Sequence, residues 1–391
     1  LFNINEILVF GLPVVLNPIY MIPFILTPVV AYSLAYGATA LGLVPQIVNS
    51  AVHWTTPLII SGYQATGSIR GSILQLVLLL VGIGIYTPFV IIDNKVSKAN
   101  ESKYIDYLTK VCRSCESEGK SYRLDNENIV YKAFEDDIAA KLNADITGDR
   151  IYLQYQPQIK DGRIVAAEAL LRFRYNGSER FMYPPLVVGI ANNNGLFEQM
   201  SRAVVRRALL DLCSMQVYRH DFKIAANLRL DLLMNDSFRK WLIEEVDKSG
   251  AAPHTFGVEI TEDAKLSDSA DYVAVFNEIK SAGIEILMDD FSMGHTSISI
   301  LQKNYFDYIK IDGNLIKQLS NERSQSIVSS IVHLGEELDF NVIAEYVETA
   351  EQRDMLLGMG CRIFQGYLYY KDMPGIELIE LLQANDAKQA V

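Results

Sequence analysis

Five carboxylates, one amide and one lysine recur at the same kind of place along this chain, the late end of a short apolar run. Glu168 lies near the end of 164–170, Asn227 ends 223–227, and Glu259 sits late in 256–260. Asp289 and Asp290 follow 285–288, Lys310 lies within 308–311, and Glu345 follows 341–344. One such acid alone is an ordinary solvated loop residue, but six run ends repeating the pattern are poorly explained that way. The set contains no His or Cys, and all-oxygen donors select hard cations such as Mg2+ or Mn2+. Without a cation, clustered carboxylates repel one another and partly protonate. Two divalent ions would largely neutralise them, and paired ions about 3.5–4 Å apart activate water for in-line displacement at phosphate. Lys310 would then orient or deprotonate the water, or stabilise charge in the transition state. Arg172 could hold a phosphate oxygen. These residue types point to a metal-dependent phosphodiesterase or a related hydrolase.

Such a constellation needs elements that bring the run ends together. Strands are predicted at 151–156, 164–170, 223–227, 256–260, 285–288, 308–311, 341–344 and 363–367. Helices are predicted between them at 196–215, 232–248, 270–282, 324–338 and 351–359. Alternation of this kind argues for parallel strands with crossover helices. Eight strands suit an α/β fold of (β/α)8 (TIM-type) barrel form, whose active site gathers at the C-terminal strand ends.

The rest of the chain is of another kind. Of 391 residues, 1–92 hold one acid, Glu6, and one base, Arg70, so the net charge of −12 belongs to the remainder. An acidic soluble part argues against binding a nucleic acid polymer. Residues 18–40 and 72–92 are each apolar enough for one membrane span of about 20 residues. Seven of the twelve prolines fall in 1–92, and proline bends or breaks helices. The chain starts at Leu1, close to an apolar stretch, and reads as a fragment of a longer protein. Residues 93–150 read as a polar linker with a short amphipathic helix at 130–143. Lys95, Lys98 and Lys103 lie just beyond the second span and favour placing the polar C-terminal residues on the cytoplasmic side of the membrane. Cys112 and Cys115 have the CxxC spacing but no second pair or nearby His. They read as ordinary residues rather than a redox or metal site.

From 154 to 382 the motifs together resemble the EAL domain of cyclic di-GMP phosphodiesterases. They are Tyr155-Gln156-Pro157, Glu168-Ala169-Leu170-Leu171-Arg172, Asn227-Leu228, Glu259-Ile260-Thr261-Glu262, Asp289-Asp290-Phe291, Lys310-Ile311-Asp312, Ala344-Glu345, Val347-Glu348-Thr349 and Gln365-Gly366-Tyr367. The resemblance implies that Glu168, Asn227, Glu259, Asp289 and Asp290 hold two Mg2+ or Mn2+ ions. Lys310 and Glu345 would complete the catalytic set with Glu168. Gln156, Arg172 and Gln365 would contact cyclic di-GMP, Glu262 would anchor the loop after Asp290, and the product would be linear pGpG. It also implies a homodimer. Asn5-Glu6, Phe10-Gly11-Leu12-Pro13 and Leu16-Asn17-Pro18 resemble the C-terminal part of the enzyme IIC permease of the lactose/cellobiose phosphotransferase family. There Glu6 would lie at the site of a β-glucoside-type sugar in the full-length protein.

The chain also departs from the EAL pattern. The family usually reads Gly-Thr/Ala-Gly-Tyr-Ser-Ser after its paired aspartates, where this chain has Ser292-Met293-Gly294-His295-Thr296-Ser297. Tyr346 replaces the usual Gly after Ala-Glu, and Arg229 stands where a Ser is usual. Ser292 in place of Gly removes backbone freedom if that position needs a positive φ. These changes leave every metal ligand in place but bear on rate and regulation. The alternative reading is a catalytically weak cyclic di-GMP receptor, or a sugar-responsive regulator attached to a permease fragment.

Overall fold

In the computed structural model, residues 18–49, 52–53, 56–124, 129–262, 270–292 and 298–387 are described. Glu6, the rest of 1–17, and the loop residues Met293 to Ser297 with His295 lie outside them. The chain divides into two units, Leu1–Tyr107 and Leu108–Val391.

The described part of the first unit is helical: α1 (Pro18–Ala40), α2 (Leu58–Thr66) and α3 (Ile69–Ser117), the last running into the second unit. Pro23 and Pro28 lie inside α1, and Pro88 inside α3. Both long helices are apolar and long enough to cross a membrane, and none of the most apolar stretch of α3 is buried. A core helix of a water-soluble fold buries such a face, whereas among the described residues this one is left uncovered. Between α2 and α3, the side-chain amide of Gln75 donates to Ser61 Oγ at 2.9 Å and accepts from the Gly62 N–H at 2.8 Å. The composition break after Ile92 does not end α3, which continues as helix to Ser117.

The second unit opens with the end of α3 and α4 (Ile129–Thr147). Leu108, Cys112, Tyr122, Leu124, Ile138 and Leu142 are all buried here. Tyr122 lies so close to Gly189 that a Cβ there would meet the ring at 2.8 Å. The Tyr122 hydroxyl donates to buried Glu135 at 3.2 Å. This region therefore packs as part of the fold. Burial pushes the Cys112 thiol up to about 11, so it is not poised as a thiolate.

The barrel comes next. Its strands are β1 (Tyr152–Lys160), β2 (Arg163–Arg172), β3 (Lys223–Asn227), β4 (Phe256–Thr261), β5 (Ile284–Phe291), β6 (Tyr308–Ile311), β7 (Asn341–Ala344) and β8 (Ile363–Gln365). They run in order from β2 to β8, then β1, and the pairing of β1 with β2 closes the ring. A two-residue β9 (Met373–Pro374) pairs with β1. From β2 to β8 all neighbours are parallel, as expected. The exception is β1, antiparallel to both β2 and β8. Asp161 and Gly162, both at positive φ, make the tight turn that leaves no room for a crossover helix.

Helices α5 (Pro184–Asn193), α6 (Phe197–Gln216), α7 (Leu230–Met234), α8 (Asp236–Ser249), α9 (Ala270–Ser281), α10 (Ile298–Leu301), α11 (Gly313–Lys317), α12 (Glu322–Leu338), α13 (Ala350–Gly358) and α14 (Gly375–Ala387) complete the unit. The single helix expected at 232–248 is two. Asn235 breaks it, and its side chain accepts from the N–H groups of Ser237 and Phe238 to cap α8. Ile224, Val258, Ile286 and Ile309 on adjacent strands are buried, as parallel strands covered on both faces require.

Candidate active site

Lys310 on β6 is the centre of the polar cluster, fully buried among four carboxylates. Its Nζ lies 2.9 Å from Glu168 Oε2, 2.8 Å from Glu259 Oε2, 3.0 Å from Asp289 Oδ1 and 2.8 Å from Glu345 Oε1. Burial alone would lower its pKa, but these acids hold it well above the usual lysine value. Each acid comes from a different strand, Glu168 from within β2, Glu259 and Asp289 from late in β4 and β5, and Glu345 from just after β7. The barrel's closure thus sets the cluster, through pairs such as Asn227 beside Glu259.

Asp289 and Asp290 are adjacent in sequence, and successive strand residues ordinarily point to opposite faces. Here the β5–β6 register shifts between Met288 and Phe291, and Asp290 adopts φ 55°. Aspartate tolerates this left-handed conformation, and bulges near active sites re-aim side chains in this way. Both carboxylates consequently reach the cluster. Oxygens of Glu168, Glu259 and Asp289 lie within 4.8 Å of one another, and so do those of Asp289, Asp290 and Glu345. Asp289 belongs to both triads.

The acids differ electrostatically. Burial pushes Glu168 up, but the Lys310 charge and hydrogen bonds from Lys310, Gln365 and Asn227 hold it below the usual range. Burial and the charge of Glu168 push Glu259 well up. Burial, opposed by Lys310 but reinforced by Asp289 and Glu168, pushes Glu345 up to about 8. Burial and Asp289 push Asp290 up to about 6. Five carboxylates against one ammonium leave a formal −4, which two divalent cations would match. Among the described residues, Glu259 Oε1 is buried with no hydrogen-bond partner. Among the same residues, Asp289 Oδ1 faces only the Lys310 ammonium, off the hydrogen-bonding direction. Oxygens in that condition fit a cation.

Polar side chains hold the cluster in place. Asn227 Nδ2 donates to Glu168 Oε1 at 2.8 Å, and Gln365 Nε2 donates to Glu168 Oε2 at 2.7 Å and to Gln156 Oε1 at 3.1 Å. Gln158, absent from the sequence expectation, donates to Gln365 Oε1 at 2.9 Å from a buried position. Its spacing of two from Gln156 on one strand face was the available signal. Gly366, at φ 156°, passes so close to Val347 that a Cβ would lie 2.2 Å from its carbonyl oxygen. Arg172 is tied to Gln154 at 3.1 Å and to Asp372 at 2.8 Å. Glu262 accepts both from the Ser292 N–H and from its hydroxyl, each at 2.8 Å. Ser292 does not adopt a positive φ, so serine is accommodated there and adds a hydrogen bond.

A cavity of about 370 Å³ is lined by Gln156, Glu168, Arg172, Asp290, Glu345 and Gln365, among others. A larger one, about 1310 Å³, shares Arg172, Asp289 and Asp290 with it and extends past Asn227 to Asn192 and Phe197. The acid cluster thus opens onto space on the scale of a ligand pocket.

Comparison with known proteins agrees with this geometry. An uncharacterized signaling protein of Caulobacter vibrioides is 34% identical over 241 residues, 61% of this chain and 29% of that protein. The cyclic di-GMP phosphodiesterase NbdA of Pseudomonas aeruginosa is 29% identical over 248 residues, 62% of this chain and 32% of its own length. The chain thus matches about a third or less of these curated relatives. Among solved structures, the EAL enzyme Bd1971 with cAMP and cyclic di-GMP bound superposes with TM-score 0.59 at 25% identity, covering 64% of this chain and 69% of that one. The PaMucR phosphodiesterase in complex with c-di-GMP gives 0.58 at 26% identity, covering 62% and 99%. The EAL family model matches residues 139–372, and residues 1–92 lie outside that match. With well over half its length matched, from α4 to just short of β9, the chain belongs to the EAL-domain family.

Proposed function

We propose that this chain is a membrane-anchored cyclic di-GMP phosphodiesterase that opens its substrate to linear pGpG. The observation that carries this is the pair of acid triads sharing Asp289 around Lys310. The phosphodiesterase name of one relative and the cyclic di-GMP bound in two solved neighbours support the substrate.

Glu168, Asn227, Glu259, Asp289 and Asp290 would hold two Mg2+ or Mn2+ ions. Bound there, the ions supply Lewis-acid polarisation of phosphoryl oxygen and lower the pKa of water. The residues do the rest. Asn227, oriented by its bond to Glu168, offers its amide oxygen as a ligand. Lys310, kept as an ammonium by its neighbours, stabilises negative charge developing at the reacting phosphate. Glu345, buried and 2.8 Å from the Lys310 ammonium, is placed to move a proton to or from the reacting groups. Water attacks phosphorus, the P–O3′ bond breaks, the 3′ oxygen gains a proton, and the phosphate stays on the 5′ oxygen. Arg172, fixed by Gln154 and Asp372, holds a phosphate oxygen, while Gln156 and Gln365 contact the dinucleotide. Glu262 anchors the loop that begins at Ser292.

The exposed apolar helices α1 and α3 support anchoring in a bacterial inner membrane, with the barrel in the cytoplasm as a homodimer. The permease likeness of residues 1–92 adds a β-glucoside-type sugar as a modulator of the full-length protein. The test is direct. Incubated with cyclic di-GMP and Mg2+ or Mn2+, the chain is expected to release pGpG. Tight binding without product at high enzyme concentration would instead favour the receptor reading.

A further inference from the structure

Tyr346 sits immediately after Glu345, at the position where glycine is usual. Of the described non-glycine residues at positive φ, the others are Asp, Asn or His, types that tolerate the left-handed region. Tyr346, at φ 51°, is the bulky exception. Strain of this kind persists only where the surroundings over-determine it, and it gathers at ligand clamps.

The surroundings here are fitted to the ring. A Cβ on Gly313 would meet Tyr346 ring carbons at 2.3–2.8 Å, so only glycine leaves the space. Lys317 Nζ stands 4.7 Å from the ring centroid. Gly313 and Lys317 are one helical turn apart on α11 and therefore share one side of that helix. Both lie against the ring, and Lys317 also lines the cavity that Tyr346 lines. Tyr346 nevertheless stays 49% exposed, and it lines the 370 Å³ cavity together with Gln156, Arg172, Asp290 and Gln365. A ring needed only to cover α11 would not be left half in the open at a strained backbone position.

We propose that Tyr346 is a stacking platform for one purine base of the bound cyclic dinucleotide, a positioning residue beside the reacting phosphate. This deepens the phosphodiesterase reading and rests on it. Stacking on an aromatic ring needs no base-edge hydrogen bonds and tolerates any base. Tyr346 would thus add affinity and placement, leaving discrimination between bases to other groups.

The test uses the full chain in detergent or membranes, with Tyr346→Phe, Tyr346→Leu and Tyr346→Gly. Measured are kcat, KM for cyclic di-GMP, the half-saturating Mg2+ concentration and Tm. Leu and Gly are expected to raise KM by about 5- to 160-fold, the range that loss of one stacked base implies. Phe should stay close to wild type, and half-saturating Mg2+ should be unchanged throughout. Gly should hold or raise Tm, because it removes the positive-φ strain. A fall in affinity without a fall in stability separates stacking from a structural role. Unchanged KM in both Leu and Gly, or Phe losing as much as Leu, would overturn the proposal alone. A wild-type chain that neither binds nor hydrolyses cyclic di-GMP would overturn the functional reading and this proposal with it.

Discussion

Lys310 sits where a cation belongs, and the acids around it divide the work of staying charged. Glu168 is held low, whereas Glu345 rises to about 8 and Asp290 to about 6. A raised carboxyl binds a proton in the cation-free fold up to its own pKa, and that proton leaves when a divalent ion sits on or beside the carboxylate, as it would on Asp290 and beside Glu345. Proton and metal therefore compete below these values. Mg2+ affinity should rise from pH 6 to 8.5, by up to about tenfold per pH unit for each proton displaced. Titration calorimetry or the Mg2+-induced rise in Tm measures this, and a pH-independent affinity would contradict it. Removing Lys310 would instead leave buried acids uncompensated, a strongly destabilising change for a buried ion cluster.

Between residue and fold, short irregularities aim the site. Gly366 is one, since it lets Gln365 approach Glu168 and Gln156 while the chain passes Val347. Gly366→Ala should cost about 1–3 kcal/mol as overpacking and lower kcat/KM by displacing Gln365. Thermal unfolding with kinetics checks both, and unchanged values would show that the close approach is slack. The sequence made the strand ends legible because each joins an apolar run to a polar residue with chemistry of its own. It placed Asp289 and Asp290 in one cluster but did not reveal how adjacent residues both reach it, because that depends on a bulge and one left-handed residue. Nor did it reveal the direction of β1, since strand periodicity is the same in either orientation, although Asp161-Gly162 carried a hairpin signal. Asn235-Asp236-Ser237 was likewise a readable helix start inside what looked like one helix. The altered loop at 293–297 lies outside the described residues.

At the scale of the molecule, charge separates the chain near Ile92, while packing separates it at Tyr107 and Leu108. Polarity marked residues 93–150 as a linker, yet sparse apolar side chains such as Leu108, Tyr122, Leu124 and Ile138 bury there. A fragment spanning 108–391 should therefore be more stable than one spanning 140–391. Each buried Leu or Ile is worth about 1.5–3 kcal/mol, so the gap should be several kcal/mol, and equal Tm values would show that this packing is idle. The central claim is that the acids around Lys310 form a metal-dependent hydrolytic centre. Its most direct measurement is steady-state conversion of cyclic di-GMP to pGpG by the chain in membranes or detergent, with Mg2+ or Mn2+ and then with chelator, beside Glu168→Ala. Turnover should require the cation and fall by at least about 10²–10³-fold in the variant; hydrolysis that survives chelation, or a variant as fast as the parent, would contradict it.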